Sequence, residues 1–218
     1  GSWLESFAFF VSLKEEFRGV AWNEWPREVR DREEGALAHW RLRLADRILQ
    51  EKFYQYLFFR QWLALKKYCN EKGIQIIGDM PIYTSYDSAD VWSHPDLFKL
   101  DDEKKPRFVA GVPPDYFSDT GQLWGNPVYH WDRLRETRYG WWVKRIEHNA
   151  RLFDMIRLDH FRGFVQYWEI PHGEKTAVNG EWVSVPVRDF FDTLLRSFAF
   201  LPIIAEDLGV ITPEVEAL

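Results

Sequence analysis

Apolar and polar positions along the chain fall into two helical stretches, then into short apolar runs that end in acids. From Trp3 to Phe17, Leu4, Phe7, Ala8, Val11 and Phe17 recur near one face, which predicts an amphipathic helix over 3–17. Residues 18–35 hold Gly19, Trp22, Trp25, Pro26 and Gly35 and read as loop with a helical turn. The pattern is helical again from about Ala36 to Lys72, without Pro or Gly, as one long helix or two joined by a kink. Gly73 is placed to end it, with Lys72 in the last turn.

Three short apolar runs follow, and each delivers a carboxylate at its end: Ile74 to Asp79, Leu152 to Asp159, and Leu201 to Glu206 and Asp207. A buried parallel strand reads this way where its C-terminal end opens into a loop. Side chains alternate along a strand, so Arg157 and Asp159 share one face, and Ile156 and Leu158 share the other. Between the runs, residues 131–151 predict helix, with Trp131, Leu134, Trp141, Trp142 and Ile146 buried. A further helix is predicted from about Val187 to Phe198, and another opens at Thr212-Pro213. The fold class is therefore α/β, with parallel strands near 74–78, 154–159 and 202–206 lying side by side in chain order. Residues 1–72 form a mainly helical subdomain, and 73–218 carry the strands. Two stretches, about 80–130 and 164–190, are too long for simple connections and read as functional excursions. Within the second, Val178-Asn179-Gly180-Glu181-Trp182 predicts a hairpin with a type I′ turn.

Composition changes this picture in one respect. Aromatic residues make up 17% of the 218 residues, with 12 Trp. Aromatic rings stack on the flat C–H faces of sugars, so a Trp-rich cleft suits a carbohydrate, although most single Trp side chains are expected in the core. The net charge of −6 and the lack of a basic stripe disfavour nucleic acid. The single cysteine, Cys69, excludes an internal disulfide framework and fits a reducing, cytoplasmic setting. No apolar run reaches the roughly 18 residues of a membrane span, so no membrane partner is expected. The histidines are scattered without ligand spacing, so neither a metal nor another cofactor is implied.

The candidate chemistry lies in Met155-Ile156-Arg157-Leu158-Asp159-His160-Phe161-Arg162-Gly163. An arginine beside a carboxylate favours the ionised form, which suits Asp159 as a nucleophile. An ion pair closing an ordinary strand would give the same local pattern. Three acids at three strand ends favour a site, because a parallel fold gathers those ends on one side.

Six motifs occur in order: Gly78-Asp79-Met80-Pro81-Ile82-Tyr83, Asp87-Ser88-Ala89-Asp90-Val91-Trp92, Pro113-Pro114-Asp115-Tyr116-Phe117-Ser118, Gly121-Gln122-Leu123-Trp124-Gly125-Asn126-Pro127, Arg157 to Gly163, and Ala205-Glu206-Asp207-Leu208-Gly209. Together they resemble the 4-α-glucanotransferases (amylomaltase or disproportionating enzyme, glycoside hydrolase family 77), relatives of the α-amylases. The resemblance implies a (β/α)8 TIM barrel, of which this chain carries roughly the third to fifth strands and a helical insertion subdomain. It implies Asp159 as catalytic nucleophile and Glu206 as general acid/base. Arg157 and His160 flank the nucleophile, and Asp79 matches the first conserved carboxylate motif of the clan. Asp115, Gln122 and Trp124 lie on a loop that covers the cleft and touches sugar in the family. A third essential carboxylate is expected downstream of Glu206, so the chain is expected to be a central fragment, and its activity alone to be low. Its unpaired sheet edges are candidates for self-association.

The implied reaction moves α-1,4-glucan segments between maltooligosaccharides by a retaining double displacement, which needs two carboxyl groups about 5–5.5 Å apart. Two other expectations remain open here: an α-glucan hydrolase with the same two acids, and a catalytically inactive glucan-binding or structural piece.

Overall fold

The computed structural model describes residues 2–206. The helices are α1 (Ser2–Glu16), α2 (Arg27–Arg30), α3 (Glu34–Arg43), α4 (Ala45–Glu71), α5 (Ala89–Ser93), α6 (Trp131–Glu136), α7 (Gly140–Leu152) and α8 (Val187–Ser197). The strands are β1 (Ile77–Met80), β2 (Phe108–Val112), β3 (Gln122–Pro127), β4 (Met155–Leu158), β5 (Gln166–Pro171), β6 (Glu181–Ser184) and β7 (Ile203–Ala205). The helix predicted at Thr212-Pro213 lies outside the described residues.

Helices dominate the first 71 residues, as the periodicity predicts. α1 buries Ala8, Phe9 and Leu13 on one face. The long helical stretch is two helices, with the break at Leu44. Gly73 ends the second with φ +74, while Ile74 N donates to Cys69 O at 2.9 Å.

The three parallel strands form one sheet in the order β1-β4-β7, so they are neighbours in chain order. The first strand begins later than predicted, at Ile77 and not Ile74. The residues between α4 and β1 are tied by side chains instead: Asn70 Nδ2 donates to Ile74 O at 3.0 Å, and Ile76 N donates to Asp154 Oδ2 at 2.8 Å. Asp79 consequently sits inside the strand and not beyond its tip. In β4, Ile156 and Leu158 are buried while Arg157 is not, which is the alternation predicted.

Both long excursions contribute to a second sheet, which the sequence reading did not predict. It is antiparallel, in the order β3-β2-β5-β6. β2 and β3 come from the first excursion, and β5 and β6 from the second. The Asn179-Gly180 turn is not type I′. Neither residue adopts the positive φ that such a turn requires, and β5 and β6 are joined by all of residues 172–180. Gly180 is there because space demands it: a Cβ would lie 2.3 Å from the Trp168 indole nitrogen.

The predicted helix over 131–151 is also divided. Arg138 and Tyr139 take left-handed conformations, with φ 51 and 53, and separate α6 from α7. Tyr139 is held there by burial against Phe190, with ring centroids 5.2 Å apart. Of the predicted core positions, Trp131, Leu134, Trp142 and Ile146 are buried, and Trp141 is half-buried. Five of the twelve tryptophans, Trp22, Trp25, Trp92, Trp131 and Trp142, are buried in the core, and Trp40 and Trp141 pack against it partly buried. Among the described residues no helix is long and apolar enough to cross a membrane.

One close approach in β1 gives a direct test of this packing. A Cβ on Gly78 would lie 2.1 Å from a Phe153 ring carbon, and that ring is itself wedged edge-on against Trp62. Gly78→Ala is expected to cost about 1–3 kcal/mol by overpacking. A lower urea midpoint at unchanged m-value checks it.

Candidate active site

The parallel sheet brings the predicted acids together by register. Asp79 on β1 pairs with Arg157 on β4, and Arg157 pairs with Ile204 on β7. Leu158 pairs with Ala205, so one step further Asp159 stands level with Glu206. Backbone hydrogen bonds hold these ends: Asp159 N donates to Met80 O at 3.1 Å, and Glu206 N to Leu158 O at 3.2 Å.

Arg157 is the electrostatic centre. Its guanidinium meets Asp79 Oδ1 at 2.6 Å, Asp159 Oδ1 at 3.1 Å and Glu206 Oε1 at 2.8 Å. One cation against three carboxylates leaves an excess of negative charge, and Asp159 and Glu206 both meet the same Nη2 of Arg157. Two neighbouring carboxyl groups each disfavour the other's ionised form. Burial and the Glu206 carboxyl raise Asp159 above the ordinary carboxylate range, against the pull of Arg157. Burial acts in the same direction on Glu206. The backbone N–H of His160 (2.5 Å to Oε2), the Asp159 carboxyl and Arg157 outweigh it and hold Glu206 low. Glu206, the acid held low, has the shorter arginine contact and the less exposed side chain, 12% against 41% for Asp159.

His160 adopts φ +52, a left-handed conformation of the kind that collects at functional sites. This turn aims its N–H at Glu206 and its ring edge-on at Trp124, with centroids 4.9 Å apart. Burial pushes its imidazolium down to about 4, with Glu206 opposing. The ring is therefore neutral near pH 7 in the folded chain but titrates near its ordinary value when unfolded. The unfolded chain binds more protons between pH 6.5 and 4, so stability falls as pH falls through that window. His160 is expected to contribute a loss of about 1–2 kcal/mol between pH 7 and pH 5. Burial depresses His94 and His148 too, so the test is a difference. In urea unfolding at both pH values, His160→Gln should lose less stability than the unsubstituted chain.

Beside these groups is a cleft of about 160 Å³, lined by Pro81, Ile82, Tyr83, Trp124, Asn126, Asp159 and His160. Trp124 is exposed on β3, and its indole N–H donates to Gln122 Oε1 at 3.0 Å. Asp159, His160 and Trp124 thus share one cleft, with Asp79, Arg157 and Glu206 adjoining it through Asp159, and Gln122 held against Trp124. Asp115 stands apart. Its Oδ1 accepts from Phe117 N and Ser118 N, both at 2.9 Å, and so shapes the tip between β2 and β3. That tip presents Tyr116 and Phe117, which are 97% and 93% exposed. The wall residues Ile82, Tyr83 and Asn126 were visible as parts of motifs, but nothing in their local pattern gave them a role.

The whole chain, residues 1–218, matches the family model described as 4-alpha-glucanotransferase. The chain belongs to that family. It is 53% identical over 216 residues to the 4-alpha-glucanotransferase of Aquifex aeolicus, covering 99% of this chain and 44% of the relative. It is also 53% identical over 216 residues to that of Thermus thermophilus, covering 99% and 43%. A solved amylomaltase from Streptococcus agalactiae, in complex with acarbose, superposes with a TM-score of 0.95 at 48% identity, covering 99% of this chain and 44% of that one. The chain thus spans less than half the length of the relatives it matches.

Proposed function

We propose that this chain forms the catalytic centre of a 4-α-glucanotransferase, moving α-1,4-glucan segments between maltooligosaccharides with retention of configuration. The observation that carries the reading is the pairing of Asp159 and Glu206 at the ends of adjacent parallel strands, beside an aromatic cleft. Family membership and the fold shared with an acarbose-bound amylomaltase support it. In this reading the parallel strands are part of a (β/α)8 barrel, roughly its third to fifth, residues 1–72 are an inserted helical subdomain, and the protein works in the cytoplasm.

Asp159 attacks the anomeric carbon while Glu206 protonates the leaving oxygen, giving a glycosyl ester and a shortened glucan. A sugar hydroxyl then enters, Glu206 removes its proton, and the new glycosidic bond releases Asp159. A glucan bound between the two acids shields Asp159 from Glu206, so that Arg157 keeps Asp159 ionised and Glu206 carries the proton. Asp79 balances the arginine. His160, Trp124 and Gln122 bind sugar, and the exposed loop at Asp115 closes over the cleft and excludes water.

Product analysis tests this. The intact protein carrying this chain should convert maltotriose to glucose and maltopentaose without a net gain of reducing ends. A net gain of reducing ends would identify a hydrolase, and saturable binding without turnover a glucan-binding module.

A further inference from the structure

Arg145 lies on α7, away from the three acids, yet its guanidinium reaches the segment that follows β1. Nη2 donates to Pro81 O at 2.7 Å and Nη1 to Ile82 O at 3.1 Å. Nη1 also approaches the Tyr129 hydroxyl at 3.3 Å, and that hydroxyl donates to Ile82 O at 2.7 Å. The cation rests on the rings of Trp141 and Trp142, 5.2 and 4.9 Å from their centroids. Tyr129 and Trp142 are fully buried, so the fork is fixed in direction. A planar guanidinium can span two neighbouring carbonyls, whereas an ammonium is a point charge.

The segment so held is the cleft wall. Pro81, Ile82 and Tyr83 line the cleft together with Asp159 and His160. One residue earlier, Met80 O accepts the N–H of Asp159. We propose that Arg145 is a positioning residue for glucan binding: it fixes the Pro81–Ile82 backbone so that the wall meets the sugar rings in one geometry. This rests on the glucan reading above. Without the fork, Pro81 O loses its protein donor and Ile82 O keeps only the Tyr129 hydroxyl, so the wall is no longer fixed in one orientation.

The test compares Arg145→Met and Arg145→Lys with the unsubstituted intact protein, well below their unfolding temperatures. Two readouts are taken: maltotriose affinity from tryptophan fluorescence, and the split of kcat from KM. Arg145→Met is expected to weaken affinity and raise KM about 10-fold, short of the about 10²-fold loss that a 1 Å misplacement of reacting groups can cause. Its kcat should change far less. Arg145→Lys, able to reach one carbonyl but not two, should fall between, and it keeps the test open if the Met variant does not fold. Unchanged affinity and KM with only a lower unfolding temperature would overturn the proposal, as would a fall in kcat at constant KM. If the unsubstituted protein binds maltotriose without turnover, the transferase reading fails, while an affinity loss in Arg145→Met still supports the positioning role. If it neither binds nor reacts, both fail.

Discussion

Asp159→Asn is expected to lower glucan transfer by a factor on the order of 10⁴–10⁶, the range produced by single losses from a covalent catalytic unit. The amide keeps the size of the side chain but cannot form the ester. It can still meet Glu206 and Arg157, so the variant should fold and bind maltooligosaccharide. The accompanying change, Glu206→Gln, should act differently. It removes the proton donor and base, worth about 10²–10⁴ for general acid–base catalysis, and leaves the nucleophile in place. A donor whose leaving group needs no proton, such as a glycosyl fluoride, should therefore still glycosylate Asp159 in the Glu206→Gln variant but not in Asp159→Asn. Steady-state rates with maltotriose and single-turnover fluoride release check both. Equal loss of both activities in the two variants would contradict the division of roles.

The second large effect is on stability. Trp142 is fully buried and touches Tyr129, Trp141, Phe164 and Phe190, with centroids 5.3–5.6 Å apart. It joins α7 to α8 beneath the loop that follows β4. Trp142→Ala is expected to cost about 3–5 kcal/mol, a large part of the about 5–15 kcal/mol that stabilises a typical domain. Its indole N–H finds no acceptor among the described residues. Trp142→Phe removes that unsatisfied group, worth about 1–3 kcal/mol when buried, while keeping an aromatic ring in the cluster. The Phe variant should thus retain most of the stability that the Ala variant loses. Urea unfolding of the three proteins at one pH decides it. A Phe variant as unstable as the Ala variant would mean that the volume of the indole, and not its ring contacts, governs the site.

Much of the α/β frame was legible because it rests on local signals. Short apolar runs ending in acids marked the three parallel strands, and Gly73 marked the end of the long helix. The alternation of Ile156, Arg157, Leu158 and Asp159 put the charged pair on one side before any coordinates. The antiparallel sheet was not legible, because its pairs are distant in sequence: Ala110 meets Glu169, and no pattern within either stretch announces that. Asn179-Gly180 misled because the dipeptide fits a tight turn, whereas Gly180 answers to the Trp168 ring. The break at Tyr139 was hidden because a tertiary partner, Phe190, imposes it. Within the site, three acids at strand ends were readable and the effect of one on another was not. Arg157 beside Asp159 argued for an ionised nucleophile; the opposing influence of Glu206 comes from the register of β4 and β7. Arg145 and Tyr129 gave no local sign at all, since they act on backbone carbonyls far back in the chain.

The central claim is that Asp159 carries the covalent bond to glucan, and mapping a trapped intermediate tests it most directly. The intact Glu206→Gln protein, given a maltosyl fluoride donor and no acceptor, should accumulate a glycosyl ester, because attack needs no acid and its release lacks a base. Proteolysis at low pH and mass analysis should place the added maltosyl mass on the peptide containing Asp159. Adding azide, an anion that needs no base, should discharge it as a maltosyl azide. An adduct on any other acid, or steady transfer with no adduct at any residue, would contradict the account.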